Sequence, residues 1–339
     1  MNSTPIDISN VINESNILIT GGTGTFGYQM VKTLLTHYNP RKIIIFSRDE
    51  FKQNEMSKIY DTKKYPNLRY FIGDIRDYDR LYFAFKNVDI IYHAAALKHV
   101  PIVEYNPMEA IKTNILGTEN VIKAAINRNV KRVVGISTDK CVNPINLYGA
   151  TKLCLEKLMI AGNHMSGGET LFSVVRYGNV FGSRGSVVPL FIKQAEIGKL
   201  TITNGTMTRF TLTIDEAVNF TIKSTMDMIG GEIFVPKLLH YNINQLARII
   251  GENCEIIEIG LRPGEKMNEV MISDNESHLT IDNNDRFIVL PSIPSKNQNL
   301  YYDLYGTNQL QRGYSYTSND SLQISDKQLR ILVEDIKIN

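Results

Sequence analysis

Cysteine is scarce in this chain. Cys141, Cys154 and Cys254 are its three cysteines, and they stand at no spacing used by a metal centre or a disulfide framework. A zinc-stabilised fold and a disulfide-stapled secreted fold are therefore not expected, and a reducing compartment is. Long apolar runs are missing too: none approaches the about 18 residues of a membrane span. Met1 to Ser15 lacks the basic start and apolar core of a secretory signal. A cytoplasmic protein with no membrane partner is the expectation. Charge of one sign is also absent, since the formal net charge is +2 over 339 residues. That balance gives no electrostatic reason to expect nucleic acid. Internal repeats and low-complexity tracts are lacking as well. What remains is a chain long enough for one large α/β domain with an attached lobe.

The apolar stretch Asn16-Ile17-Leu18-Ile19-Thr20 runs directly into Gly21-Gly22-Thr23-Gly24-Thr25-Phe26-Gly27, and a helical pattern with Met30, Val31, Leu34 and Leu35 on one face follows. Strand, glycine loop and helix in that order form the context of a dinucleotide fingerprint. Glycines let the backbone approach a pyrophosphate, whose charge sits at the helix N-terminus. A second strand, Lys42 to Phe46, ends in Ser47-Arg48-Asp49-Glu50, with Lys52 close by. An acid directly at that strand end would select NAD. Here Ser47 and Arg48 come first, which suits a 2′-phosphate and points to NADP. A third strand leads to Gly73-Asp74-Ile75, where Asp74 suits the adenine amino group and Ile75 the ring face. Asp74 could equally cap the next helix. The fourth strand ends in His93-Ala94-Ala95-Ala96, small residues that leave room for a flat ligand. Asn114 is a polar residue in an otherwise apolar helix pattern, placed to tie neighbouring strands or touch the cofactor. The strand–helix alternation predicts a doubly wound parallel Rossmann sheet.

The chemistry concentrates in Ser137-Thr138-Asp139-Lys140, Tyr148 and Lys152, just after the apolar run Val133 to Ile136. Ligands in open α/β sheets bind beyond the carboxyl ends of strands. Tyr148 and Lys152 share a helix face, and a lysine ammonium there favours the phenolate. Moving a tyrosine from about 10 to neutrality needs roughly 4 kcal/mol, at about 1.4 kcal/mol per unit. With Thr138 holding the hydroxyl, this is a base for alcohol oxidation. Asp139 and Lys140 exceed what a simple dehydrogenase needs. An amine desolvated near another cation has a lowered pKa and can abstract a proton beside a new ketone, and a buried protonated acid can assist a leaving hydroxyl. The bland alternative is an exposed Asp–Lys pair. Beyond Arg176 the alternation breaks. Gly182-Ser183-Arg184-Gly185-Ser186 and Gly260-Leu261-Arg262-Pro263-Gly264-Glu265-Lys266 are arginine-bearing loops suited to a second anionic group, or else merely solvated.

These pieces, with His93 to Pro101, Arg176 to Pro189 and Met207-Thr208-Arg209-Phe210, resemble the extended short-chain dehydrogenase/reductases. Within them the chain is similar to the inverting UDP-N-acetylglucosamine 4,6-dehydratases of bacterial surface-sugar pathways. The discriminating piece is Thr138-Asp139-Lys140, since retaining dehydratases typically have Glu at the Lys140 position. The resemblance implies that Tyr148, with Thr138 and Lys152, takes the proton of the sugar's 4-hydroxyl as hydride passes to a tightly bound NADP. It implies that Lys140 removes the carbon-5 proton, that Asp139 assists loss of the 6-hydroxyl, and that hydride returns to carbon 6. Lys98, Asn179, Arg184, Val187, Thr203, Arg209, Arg262 and Glu265 are implied to hold the UDP-sugar, and Tyr177, Asn179 and Val180 to line the cofactor. A homo-oligomer, dimer or hexamer, is implied as well. Its rivals are a UDP-sugar 4-epimerase or retaining dehydratase, and an NADP-binding regulator without turnover. Several capsule-synthesis members carry Met at the Tyr148 position, where this chain keeps Tyr.

The expected organisation is a Rossmann domain over 14–176, with 214–231 returning to it. A nucleotide-sugar lobe is expected over 177–213 and 232–290, and an extension over 291–339. That extension carries Tyr301, Tyr302, Tyr305, Tyr314 and Tyr316 and closes in a helix. Ser325 and Gln328 form its capping box, Ile324 and Leu329 its staple, and Leu329, Leu332, Val333 and Ile336 its apolar stripe.

Overall fold

The computed structural model describes residues 11–183, 185–293 and 298–338. Strand β1, Asn16–Thr20, is buried at every position, because its alternate side chains enter two different cores. Leu18 packs with Ile44, Ile91 and Val133 on one side, and Ile17 and Ile19 pack with Ile43, Ile45 and Val134 on the other. A strand covered on both faces reads as a continuous apolar run, which is why the parallel sheet was predictable. Strands β2 (Lys42–Ser47), β3 (Leu68–Ile72), β4 (Ile90–His93), β5 (Arg132–Thr138) and β6 (Leu171–Tyr177) join it in parallel. Their order in space is β6-β5-β4-β1-β2-β3. The order reverses between β1 and β4, and that switch point opens a crevice above the strand ends.

Helices α1 (Thr25–His37), α2 (Glu50–Ile59), α3 (Tyr78–Ala84), α4 (Val100–Tyr105), α5 (Pro107–Ala110), α6 (Gly117–Asn127) and α7 (Leu147–Met165) connect these strands. Asp49 caps α2 and Asp77 caps α3, each accepting a backbone N–H three residues on. Asp74 is therefore not the helix cap. At α1 the capping position is Gly24, which offers no side-chain acceptor, so the free N–H groups of the first turn face the crevice. Gly27 allows α1 to lie against the loop, because a Cβ there would stand 2.1 Å from the Gly22 carbonyl oxygen.

The sheet is wider than the sequence reading placed it. Ile233–Pro236 pairs in parallel with β6, and the hairpin Thr280–Asn283/Arg286–Val289 adds two antiparallel strands beyond it. The expectation that 232–290 belongs wholly to the lobe is corrected here. Ile233–Pro236 is buried throughout, so its stable place is inside the large sheet. Between these strands lies a lobe of small two-stranded sheets. Thr208–Thr211 pairs with Leu239–Asn242, Lys199–Ile202 with Glu255–Glu258, and Val270–Ile272 with Tyr316–Thr317.

The tyrosine-rich extension docks on its own chain. Tyr316 packs against Phe210 at 5.2 Å and Phe287 at 4.9 Å, and Tyr305 meets Phe234 edge-on. The closing helix, Asp326–Ile338, carries the capping box between Ser325 and Gln328. It buries Leu329 and Val333 against Ile243 and Leu246.

Beneath the turn that follows β5, Arg176 forms a buried fork. Its guanidinium donates to both Glu156 oxygens at 2.9 and 2.7 Å, to Glu276 at 2.9 and 3.1 Å, and to the Met271 carbonyl at 2.8 Å. It thereby joins β6, α7 and the lobe. Removing one partner of such a pair leaves the other charge stranded, which costs about 3–5 kcal/mol. Arg176→Met is expected to lose that much in urea unfolding, and wild-type stability in the variant would contradict the role.

Candidate active site

Strand β5 ends at Thr138, and the chain turns at once through a short 3-10 helix, Asp139–Cys141. Helix α7 returns against that turn. A Cβ on Gly149 would stand 2.0 Å from the Lys140 carbonyl oxygen, so only glycine permits the approach that brings Tyr148 beside Lys140. Asn146 caps α7 by accepting the Gly149 N–H at 2.8 Å, and its amide donates to the Gly264 carbonyl at 3.0 Å. The loop bearing Arg262 is thereby fastened to helix α7.

The five residues read as catalytic do converge. The Lys140 ammonium donates to Asp139 Oδ1 at 3.1 Å, to Asn179 Oδ1 at 2.9 Å and to Glu269 Oε1 at 3.4 Å. The Thr138 hydroxyl donates to Asp139 Oδ1 at 2.9 Å. The Lys152 ammonium donates to the Ile136 carbonyl at 2.7 Å. This is not an exposed Asp–Lys pair: Asp139 is fully buried, and the Lys140 side chain is 22% exposed.

Burial alone would disfavour the Lys140 ammonium, but Asp139 and Glu269 outweigh it and hold its pKa above the ordinary value. The expected lowering beside a cation is corrected: Lys140 rests as an ammonium between carboxylates. Burial, then the Glu269 charge, push the Asp139 carboxyl upward. Burial lifts Tyr148 to about 12 against the pull of Lys140, and lowers Lys152 to about 8. His93 is held between the Thr20 and Thr118 hydroxyls, and burial lowers it to about 3, so it is a neutral structural histidine.

A cleft of about 1720 Å³ runs from the glycine loop to the lobe. Single small-molecule pockets occupy about 300–1,000 Å³, so this one has room for two ligands in line. Gly21, Thr23, Gly24, Thr25 and Phe26 line one end, with Ser47, Arg48, Lys52, Asp74 and Ile75 beside them. Ala94, Ala95 and Ala96 form the floor, and Tyr177, Asn179 and Val180 stand opposite. A side-chain-free helix start, small floor residues and cations at the β2 end are a donor set that fits a dinucleotide. Asp74 is paired with Arg76 at 2.7 Å and with Arg48 at 3.6 Å. Toward the lobe the cleft meets Lys98, Val187, Thr203, Arg209, Arg262 and Glu265. Arg184 lies outside the described residues.

Three expected contacts fall elsewhere. Gly27 is buried against the loop and does not reach the cleft. Asn114 is fully buried in the π-helical turn Ile111–Leu116. Its amide accepts the Leu97 N–H at 2.8 Å and donates to the Leu97 carbonyl and Thr151 hydroxyl, both at 2.9 Å. Asn114 is thus a strut behind the cofactor end, because every polar atom it has is already engaged. Asp139 sits behind the cleft wall, touching it through Thr138 and Lys140. The sequence reading missed Glu269, buried beside Lys140. Its one local signal is an isolated acid before the apolar triplet Val270-Met271-Ile272.

The model of the polysaccharide biosynthesis protein family matches residues 17–291. The chain belongs to that family. Within this polysaccharide biosynthesis family, it is 48% identical over 327 residues to a UDP-N-acetylglucosamine 4,6-dehydratase (inverting) of Campylobacter jejuni. The match covers 94% of this chain and 97% of that protein. It is 41% identical to a UDP-glucose 4-epimerase of Rickettsia rickettsii, covering 94% and 95%. Among solved structures, Pen from Bacillus thuringiensis matches with a TM-score of 0.86 and 39% identity, covering 96% of this chain and 99% of Pen. DesIV, a dTDP-glucose 4,6-dehydratase from Streptomyces venezuelae solved with NAD and TYD, shares the fold at TM-score 0.70 and 20% identity, over 96% and 97%. These likenesses make the chain an extended short-chain dehydrogenase/reductase. No helix of the described residues is long and apolar enough to cross a membrane.

Replacing Asn114 by Ala takes the side-chain partner from the part-buried Leu97 N–H and carbonyl, at about 1 kcal/mol per lost bond. Urea unfolding is expected to register that loss; an unchanged midpoint would contradict the strut assignment.

Proposed function

We propose that this protein is a UDP-N-acetylglucosamine 4,6-dehydratase that inverts carbon 5, giving a UDP-2-acetamido-2,6-dideoxy-L-hexos-4-ulose for surface-polysaccharide synthesis. The observation that carries the reading is the Lys140 ammonium, 3.1 Å from the buried Asp139 carboxylate, inside the cleft that also holds Tyr148. A 4-epimerase needs only the tyrosine and lysine of α7. The 48% identity to a named inverting dehydratase supports the same choice.

Tyr148 is the group placed to take the proton of the sugar's 4-hydroxyl, with Thr138 beside it. A bound NADP supplies the reversible hydride acceptor and, in its oxidised form, a positive charge that favours the phenolate. Asp139 and Lys140 then become a matched acid and base by a single proton shift. The Lys140 N–H bond breaks and an Asp139 O–H bond forms, with no change in the charge of the pair. The free amine removes the acidified carbon-5 proton, and the Asp139 proton, relayed through Thr138 or Lys140, leaves with the 6-hydroxyl as water. A hydride restored to carbon 6, which the reduced cofactor would supply, and a proton added to carbon 5 from the opposite face give the 6-deoxy L-sugar. Arg209, Arg262 and Lys98 supply cations for the diphosphate end.

Selectivity for NADP is supported by the way Asp49 is occupied. Its carboxylate accepts the Lys52 N–H at 3.0 Å at the start of α2, which leaves the ribose edge to Arg48 and Lys52.

With NADP and UDP-N-acetylglucosamine supplied, mass spectrometry is expected to show a product lighter by one water. A 4-epimer of unchanged mass would contradict the proposal. Lys140→Ala is expected to lose at least about 100-fold in carbon-5 proton exchange while still binding NADP; retained exchange would remove Lys140 from its role. Arg48→Ala is expected to weaken NADP binding by about 10- to 100-fold with little effect on NAD. Equal effects on both would refute the selectivity.

A further inference from the structure

Glu269 is the one acid at this centre that the proposed mechanism leaves without work. It is 3% exposed and sits on the loop just before Val270–Ile272, far from Lys140 in sequence. Its Oε1 lies 3.4 Å from the Lys140 ammonium and 3.5 Å from Arg209 Nε, while its Oε2 is buried without a hydrogen-bond partner. A desolvated carboxylate is costly, and one placed against a catalytic amine changes that amine's charge balance.

The backbone of Glu269 is clamped from both sides by one residue of the C-terminal extension. Its N–H donates to Ser318 Oγ at 3.0 Å, and its carbonyl accepts the Ser318 N–H at 2.8 Å. Ser318 is itself fully buried, its hydroxyl 2.6 Å from that of Thr208. The Thr208 hydroxyl in turn donates to Asn268 at 2.7 Å. The strand pairing of Tyr316–Thr317 with Val270–Ile272 holds this clamp in register.

We propose that Glu269 is a positioning residue of the active site, which steers the Lys140 amine and sets the charge balance of the Asp139–Lys140 pair, and that Ser318 of the C-terminal extension holds it in place. This inference rests on the dehydratase reading. The groups that face Lys140 are Asp139 on its own turn, Tyr148 on α7, Arg209 and Tyr241 on the lobe strands, Glu269 and Lys266 on the lobe loop, and Lys98 after β4. Among these, Asp139 and Glu269 are the two carboxylates, so they determine how firmly Lys140 keeps its proton. The Glu269 charge stabilises the ammonium and repels the Asp139 carboxylate. Deleting it lowers both pKa values. The limb on which Lys140 must be neutral and the limb on which Asp139 must be protonated then move the same way, toward lower pH.

The test uses full-length enzyme loaded with NADP and follows deuterium exchange at carbon 5 of preformed product, alongside dehydration of UDP-N-acetylglucosamine. Wild-type dehydration decides the function; the variants compared with wild type decide the inference. Glu269→Gln is expected to lose about 100-fold in kcat, the scale of a misplaced catalytic group. Its pH–exchange profile is expected to move about one unit lower, with KM little changed. Glu269→Asp, which keeps the charge and shortens the reach, is expected to lose rate at the wild-type pH optimum. Ser318→Ala is expected to lose about tenfold in kcat, on the scale of one lost hydrogen bond to a positioned group. A Glu269→Gln enzyme with wild-type kcat and an unmoved profile would overturn the proposal, as would a Glu269→Asp enzyme whose profile moves as far as that of Glu269→Gln. Should Glu269→Gln not fold, the Glu269→Asp and Ser318→Ala profiles decide: a Ser318→Ala enzyme at full rate would overturn it equally.

Discussion

The contact between one ammonium and two buried carboxylates governs this active site. Lys140 lies between Asp139 and Glu269, and the rest of the fold can be followed outward from it. Asp139 is in place because β5 ends where it does, and Gly149 lets α7 press against the turn. Below that turn, Cys141 Sγ lies 3.0 Å from Glu156, which Arg176 also grips. A loosely solvated lysine would keep its proton through the reaction. One confined with a partner carboxylate 3.1 Å away can exchange that proton for an acid and a base at once. Burial makes the exchange consequential, because neither charge has water to fall back on.

The extension after residue 291 belongs to the same construction. Its tyrosines are packing residues: Tyr305 supports the added strand at Phe234, and Tyr316 wedges between Phe210 and Phe287. With Tyr316 fixed, Ser318 follows two residues on and grips the Glu269 backbone. Residues that look like a polar tail thus reach to within one side chain of the Lys140 amine. The closing helix adds a second attachment, against Ile243 and Leu246.

The parallel sheet was legible because the inner strands β1, β2, β4 and β5 are covered on both faces and carry near-continuous apolar runs, while β3, at the edge, is only partly covered. The glycine loop, Arg48 and the Thr138–Lys152 constellation were legible because their chemistry is written within a few residues of one strand end. What escaped the reading depends on pairing between distant segments. Ile233–Pro236 is only four residues long, and its place beside β6 is set by sheet geometry. Glu269 stands 129 positions from Lys140, and no local spacing links them. The sign of the Lys140 shift was misread because the neighbouring Asp139 was weighed as an acid rather than as the counter-charge of the ammonium, and Glu269, which adds to it, has no local signal. Asn114 was noticed as a polar residue in an apolar helix, and its side chain ties the Leu97 backbone to Thr151.

In the proposed reaction Lys140 works at carbon 5 as an exchangeable base with Asp139 as its acid. Proton NMR of the product formed from UDP-N-acetylglucosamine in heavy water tests it most directly. Deuterium at carbon 5, ring couplings of an inverted centre there, and a methyl group at carbon 6 are expected. A product that keeps its original carbon-5 proton and configuration, or that retains the 6-hydroxyl, would contradict it.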